Sequence, residues 1–114
     1  MKAVFVELPA FERHRTSYLD NDGFRDLQNL LITGPRAGDV MPGTGGLRKL
    51  RFPDARRGKG KRGGLRIIYH WWDVGNQIWL FTLYDKDEMS ELTPQERKAL
   101  KAMIKAEMDS KRKQ

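Results

Sequence analysis

The chain has 114 residues, 39% of them hydrophobic and 32% charged, with 22 basic against 15 acidic side chains and no cysteine. That length supports one domain with a real core and is too short for two. The composition is not that of a disordered chain, and the lack of cysteine excludes disulfides and thiolate metal sites. No apolar run approaches the ~20 residues that span a bilayer. The opening MKAVFVELPAFERHR acquires charge too soon for a signal peptide. The expectation is a single domain over residues 1–114, cytoplasmic, with no membrane association.

Lys2 to Leu8 alternates weakly and is rich in Val and Phe, which predicts an opening strand. Pro9 suits the first turn of a helix that continues from Phe11 to Leu19. Asp20 and Asn21 are good caps for a second helix, in which Phe24, Leu27, Leu30 and Leu31 recur at three- and four-residue spacing. Gly34-Pro35 ends it, and Pro35 to Gly46 reads as a loop. Leu47 to Phe52 predicts a second strand, with Leu50 and Phe52 toward the core and Lys49 and Arg51 facing the other way. Pro53 to Gly63 is a glycine-rich basic loop. Leu65 to Trp72 and Ile78 to Tyr84 predict two more strands joined by a turn at Asp73-Val74-Gly75-Asn76. Both are apolar on both faces and should be central in the sheet. Thr93-Pro94-Gln95-Glu96 is a capping box with proline at the first helical position, opening a last helix with Leu100, Met103, Ile104 and Met108 on one stripe. The predicted order is β-α-α-β-β-β-α, an α+β fold with a mainly antiparallel sheet packed against helices.

Charge is the most uneven property of the chain. Leu47 to Arg66 holds nine basic residues and one acid, which leaves 13 basic against 14 acidic elsewhere. The net charge of +7 is therefore concentrated in about one sixth of the sequence. Crowding like charges gains a fold nothing, so such an excess points to a polyanion. Arg48, Lys59, Lys61 and Arg62 are candidate nucleic-acid contacts. If Arg66, Ile68, His70 and Trp72 share a face with Lys49 and Arg51, and also with Ile78, Leu80, Thr82, Tyr84 and Lys86, then Arg51, Arg66 and Lys86 converge near one sheet end. Three cations there can hold a phosphate and stabilise the charge that develops in its transfer. The bland reading is a set of solvated surface charges.

GKGKRGG lets backbone approach phosphates but does not satisfy GxxxxGK[ST], so it is not a nucleotide-binding loop of that kind. His14 and His70 have no carboxylate pair at ligand spacing, so neither a metal nor any other cofactor is expected. His70 reads more readily as a packed polar residue than as a catalyst. Among the aromatic residues Tyr69, Trp71, Trp72, Trp79 and Tyr84, most should be core, and Tyr84 is the favoured exposed ring for stacking on a base.

The element order, together with the runs GDVMPGTGGLRKLRF, GKGKRGGLRIIYHW and LFTLYDKDEMSELT, resembles the RelE superfamily of type II toxin–antitoxin toxins, in its HigB-type branch. The resemblance covers nearly the whole chain. It implies a ribosome-dependent, metal-independent endoribonuclease that enters the ribosomal A site and cuts translated mRNA through attack of a ribose 2′-hydroxyl on the adjacent phosphate. It implies a HigA-like helix-turn-helix antitoxin as partner. Carried over by position, Arg51 and Arg66 match phosphate-binding residues, Lys86 matches a basic position after the last strand, and Lys49 is a candidate general base. Some RelE-type toxins place a tyrosine or histidine after the last strand. Here that segment reads DEMSEL, which leaves Tyr84, Lys49, His70 and Glu88 as candidates for acid and base. A non-catalytic RNA- or ribosome-binding module of the same fold is the alternative.

Overall fold

A computed structural model describes residues 3–54, 64–72, 75–86 and 93–112, with side chains at all of these but 96, 108, 111 and 112. Among the described residues the elements run β1 (Val4–Glu7), α1 (Pro9–Tyr18), α2 (Asn21–Thr33), β2 (Asp39–Val40), β3 (Arg48–Phe52), β4 (Leu65–Trp72), β5 (Gln77–Asp85) and α3 (Pro94–Arg112). The strands form one sheet in the order β1-β5-β4-β3-β2. All pairs are antiparallel except β1 with β5. The α+β class and the central place of the two long strands follow the sequence reading. The added element is β2, two exposed residues inside the predicted loop that pair with Arg48 and Lys49. No described helix is long and apolar enough to cross a membrane.

The helix boundaries have local causes. The Asp20 carboxylate accepts from the Gly23 N–H at 2.7 Å and caps α2. Gly34 closes α2, its N–H donating to the Leu30 carbonyl at 2.8 Å. On α2 the apolar stripe buries Leu27 and Leu31 fully, with Phe24 and Leu30 packed beside them. The Arg97 N–H donates to the Thr93 carbonyl at 3.0 Å at the start of α3. In the predicted hairpin turn, Gly75 and Asn76 both take positive φ, 81° and 55°, the conformation these residue types adopt at least cost; Asp73 and Val74 lie outside the described residues.

The sheet separates two apolar clusters. On one face Leu50, Phe52, Leu65, Ile67, Tyr69, Ile78, Leu80 and Leu83 pack against Phe11 and Leu19 of the α1 region and Leu27 and Leu31 of α2. Each fully buried leucine or isoleucine contributes about 1.5–3 kcal/mol relative to exposure. On the other face Met41, Leu47, Ile68, Trp79, Phe81 and Tyr84 pack under Ile104 of α3, with Leu100 at their side. Met103 does not join that stripe. It is 40% exposed, because the turn of α3 that buries Ile104 carries Met103 outward.

Candidate RNA-contact site on the open sheet face

Alternation along β3 places Lys49 and Arg51 on the α3 side and Leu50 and Phe52 on the α1–α2 side, as the sequence predicts. Across to β4, Lys49 lies opposite Ile68 and Arg51 directly opposite Arg66. Across to β5, Arg66 lies opposite Tyr84 and Ile68 opposite Thr82. The exposed Lys86 follows at the end of this row, its N–H donating to the Gly64 carbonyl at 3.2 Å.

A β-bulge makes this grouping possible. Ile68 pairs with Thr82 but Tyr69 pairs with Leu80, so Phe81 is an extra residue on β5. Unbroken alternation would put Ile78, Leu80, Thr82 and Tyr84 on one face, which is what the sequence reading assumed. Instead Ile78 and Leu80 face α1 and α2, while Trp79, Phe81 and Tyr84 face α3. The extra residue re-aims Tyr84 onto the side of Arg66, the kind of correction bulges make beside functional sites.

The arginine pair is electrostatically costly. Like charges directly opposite on a sheet destabilise it. Arg66 is only 5% exposed. Its burial, and then the neighbouring Arg51, push its guanidinium below the ordinary arginine range, while Tyr84 and Asp85 pull the other way. One Arg66 N–H is directed at the Leu65 carbonyl, 3.2 Å away. Arg51 is exposed. A phosphate bound between the two would relieve their repulsion.

Other sequence candidates are placed elsewhere. Arg48 sits opposite Tyr69, on the far face from Arg51. Its Nη1 donates to the Gly38 carbonyl at 2.8 Å and reaches the Arg36 carbonyl at 3.4 Å. Tyr69 completes that tie: its hydroxyl donates to the Pro35 carbonyl at 2.7 Å and accepts from the Gly38 N–H at 2.9 Å. A Cβ on Gly38 would fall 2.9 Å from the Tyr69 ring, so only glycine fits there. Lys59, Lys61, Arg62 and Glu88 lie outside the described residues. Tyr84 is buried under α3 at 4% exposure and is not the exposed stacking ring expected of it. His70, half-buried, lies four residues along β4 from Arg66, roughly 13 Å at strand rise, with Nδ1 3.3 Å from the Gly46 carbonyl. That fits a packed polar residue. Among the described residues no three His, Asp or Glu side chains are placed to hold a metal.

Of the aromatic group, Trp72 rather than the favoured Tyr84 is a ring left partly exposed on this face. Its ring stacks on Trp79 with centroids 5.6 Å apart and planes at 12°, and His70 meets both rings edge-on. Trp72 is the partly exposed member of that stack, Trp79 the buried one. Alternation sends the adjacent Trp71 and Trp72 to opposite faces of the sheet, and both rings stay partly exposed.

These features define an α+β domain: a mainly antiparallel sheet with two helices on one face and a C-terminal helix on the other. No family model matches the chain. Among solved structures it is similar to the E. coli toxin RelE, seen as a double arginine-to-alanine mutant in the free state, with a TM-score of 0.52 over 79% of this chain and 90% of that one. Sequence identity is 15%, so the likeness is one of fold.

Proposed function

We propose that the chain is a type II toxin–antitoxin toxin, a ribosome-dependent and metal-independent endoribonuclease that cuts translated mRNA in the A site. The observation that carries this reading is the Arg51–Arg66 pair, two cations opposed on a rigid sheet of RelE-like fold with Tyr84 beside the inner one. The ribose 2′-oxygen attacks the adjacent phosphorus, the bond to the 5′-oxygen breaks, and the products are a 2′,3′-cyclic phosphate and a 5′-hydroxyl. Arg51 and Arg66 hold the phosphate and stabilise its added charge. Lys49, on the same face, takes the 2′-hydroxyl proton. Tyr84 or Lys86, flanking Arg66, supplies a proton to the leaving oxygen. Lys59, Lys61 and Arg62 contribute phosphate contacts from the basic segment. Arg48 serves the fold rather than the RNA. The chain belongs to the HigB-type branch, is neutralised by a HigA-like helix-turn-helix antitoxin, and acts in the cytoplasm.

A second reading draws on the burial of Arg66 and Tyr84: a binding module of the same fold that engages RNA or the ribosome without cutting. Induced expression followed by mapping of mRNA 5′ ends separates the two. Cleavage predicts new 5′ ends within translated frames, lost with Arg66→Met. Growth arrest with intact messages would select the binding module.

A further inference from the structure

We propose a second RNA-contact surface at the opposite end of the same sheet face, made by an exposed lysine stripe on α3 and the Trp72–His70 ledge beside it. Lys98, Lys101 and Lys105 are spaced three and four residues apart on α3, so they line one helical face. All three are exposed, and among the described residues none forms an ion pair. The stripe and the ledge meet through one turn. A Cβ on Gly45 would lie 3.6 Å from Lys101 Cγ, and one on Gly46 would lie 3.7 Å from His70 Cε1. Both glycines have positive φ, 78° and 114°, so the backbone threads between α3 and His70 where a side chain would be strained. Behind the ledge Trp79 is fixed, its Nε1 donating to Gln77 Oε1 at 2.9 Å.

This combination suits RNA better than a protein. Lysine is depleted at protein interfaces, because an unpaired ammonium is costly to desolvate there. On RNA the same groups displace counterions from phosphates. Trp72, stacked on Trp79 yet partly exposed, offers an aromatic surface to an unstacked base. The ledge is six residues along β4 from Arg66, roughly 20 Å, so the contact is distinct from the arginine pair. It positions RNA and goes beyond the cleavage reading, which it does not require.

The test titrates a short fluorescein-labelled oligoadenylate with the full chain across a range of salt. Neutralising Lys98, Lys101 and Lys105 together to Gln should lower the slope of log affinity against log salt by about 2. Trp72→Leu should weaken binding about five- to a hundredfold, and Trp72→Phe should restore most of it. Circular dichroism melting checks that each variant folds. Unchanged affinity and slope in the lysine and Trp72→Leu variants overturns the proposal, as does a wild-type chain that does not bind. Loss of antitoxin co-purification in these variants with RNA affinity untouched also overturns it, because the surface is then a protein dock. The readout is binding, so a chain that cuts no message but loses RNA on these substitutions would sink the nuclease reading and leave this surface standing.

Discussion

Arg48 and Arg51 lie on one strand, three residues apart and on opposite faces of the sheet. Arg48 is spent on backbone carbonyls of the segment that returns beside β3. Arg51 is exposed and opposes another arginine. On the first face a cation repairs an exposed loop edge over an apolar core, and the fold gains. On the second, Arg51 stands in solvent directly opposite another arginine, a pairing that costs the fold. The contrast teaches that charge count along a strand does not identify a site. What separates the two is what each cation faces: backbone carbonyls for Arg48, a second arginine for Arg51.

The largest effect expected on either face is loss of the fold. Leu27→Ala removes a fully buried side chain between α2 and the sheet. It should cost about 2–5 kcal/mol, read as a fall in melting temperature, with antitoxin binding and toxicity declining together. If Leu27→Ala melts like the wild type, the α1–α2 face is not the stabilising one.

Next come the opposed arginines. Arg66→Met keeps the side-chain stem and removes the buried charge; Arg51→Ala removes the exposed one. Each should slow single-turnover cleavage on ribosomes by about 10²–10³, and Arg51→Ala should leave stability within about 0.5 kcal/mol. Cleavage at the wild-type rate in Arg51→Ala would make that residue a solvated surface charge.

Tyr69→Phe tests the structural face at lower cost. The hydroxyl bridges Pro35 and Gly38, and its loss should cost about 1–3 kcal/mol at neutral pH. Burial raises the Tyr69 phenol above its ordinary value near 10, with the Gly38 N–H and Arg48 offsetting part of the rise. The unfolded chain therefore ionises first as pH increases. Stability that depends on the neutral phenol is whole below about pH 10 and is lost as pH rises through the folded value. The gap in melting temperature between wild type and Tyr69→Phe should close in that alkaline range. A gap that persists there would show that the stabilisation does not depend on the neutral phenol, and no gap at neutral pH would place the hydroxyl outside the stabilising network.

The smallest expected effect is the most discriminating. Arg48→Ala should cost about 1 kcal/mol and leave cleavage near the wild-type rate at a permissive temperature, the reverse of Arg51→Ala. Equal loss of cleavage in both would place RNA contacts on both faces.

Much of this architecture was legible in the sequence because its causes are local. Asp20 and Gly34 bound α2 by capping chemistry, and alternation from Lys49 to Phe52 sorts that strand by face. What was not legible depends on neighbours. Two exposed residues, Asp39 and Val40, become a strand only because β3 supplies their partners. The bulge at Phe81 leaves no mark in composition, yet it moves Tyr84 to the face of Arg66. Arg48 differs from Arg51 only through the carbonyls that the Pro35–Gly38 turn brings to it. Tyr84 is buried in the cluster under Ile104 where an exposed ring was expected, while Trp72, at the other end of β4, stays partly exposed.

The central claim is that the Arg51–Arg66 face does chemistry on RNA. The most direct measurement is the end chemistry of mRNA incubated with the purified chain on translating ribosomes in the presence of a metal chelator. The account predicts cleavage products with 2′,3′-cyclic phosphate and 5′-hydroxyl ends, absent with Arg66→Met. Ribosome-bound message that stays intact at saturating wild-type protein, or cleavage that Arg66→Met leaves unchanged, would contradict it.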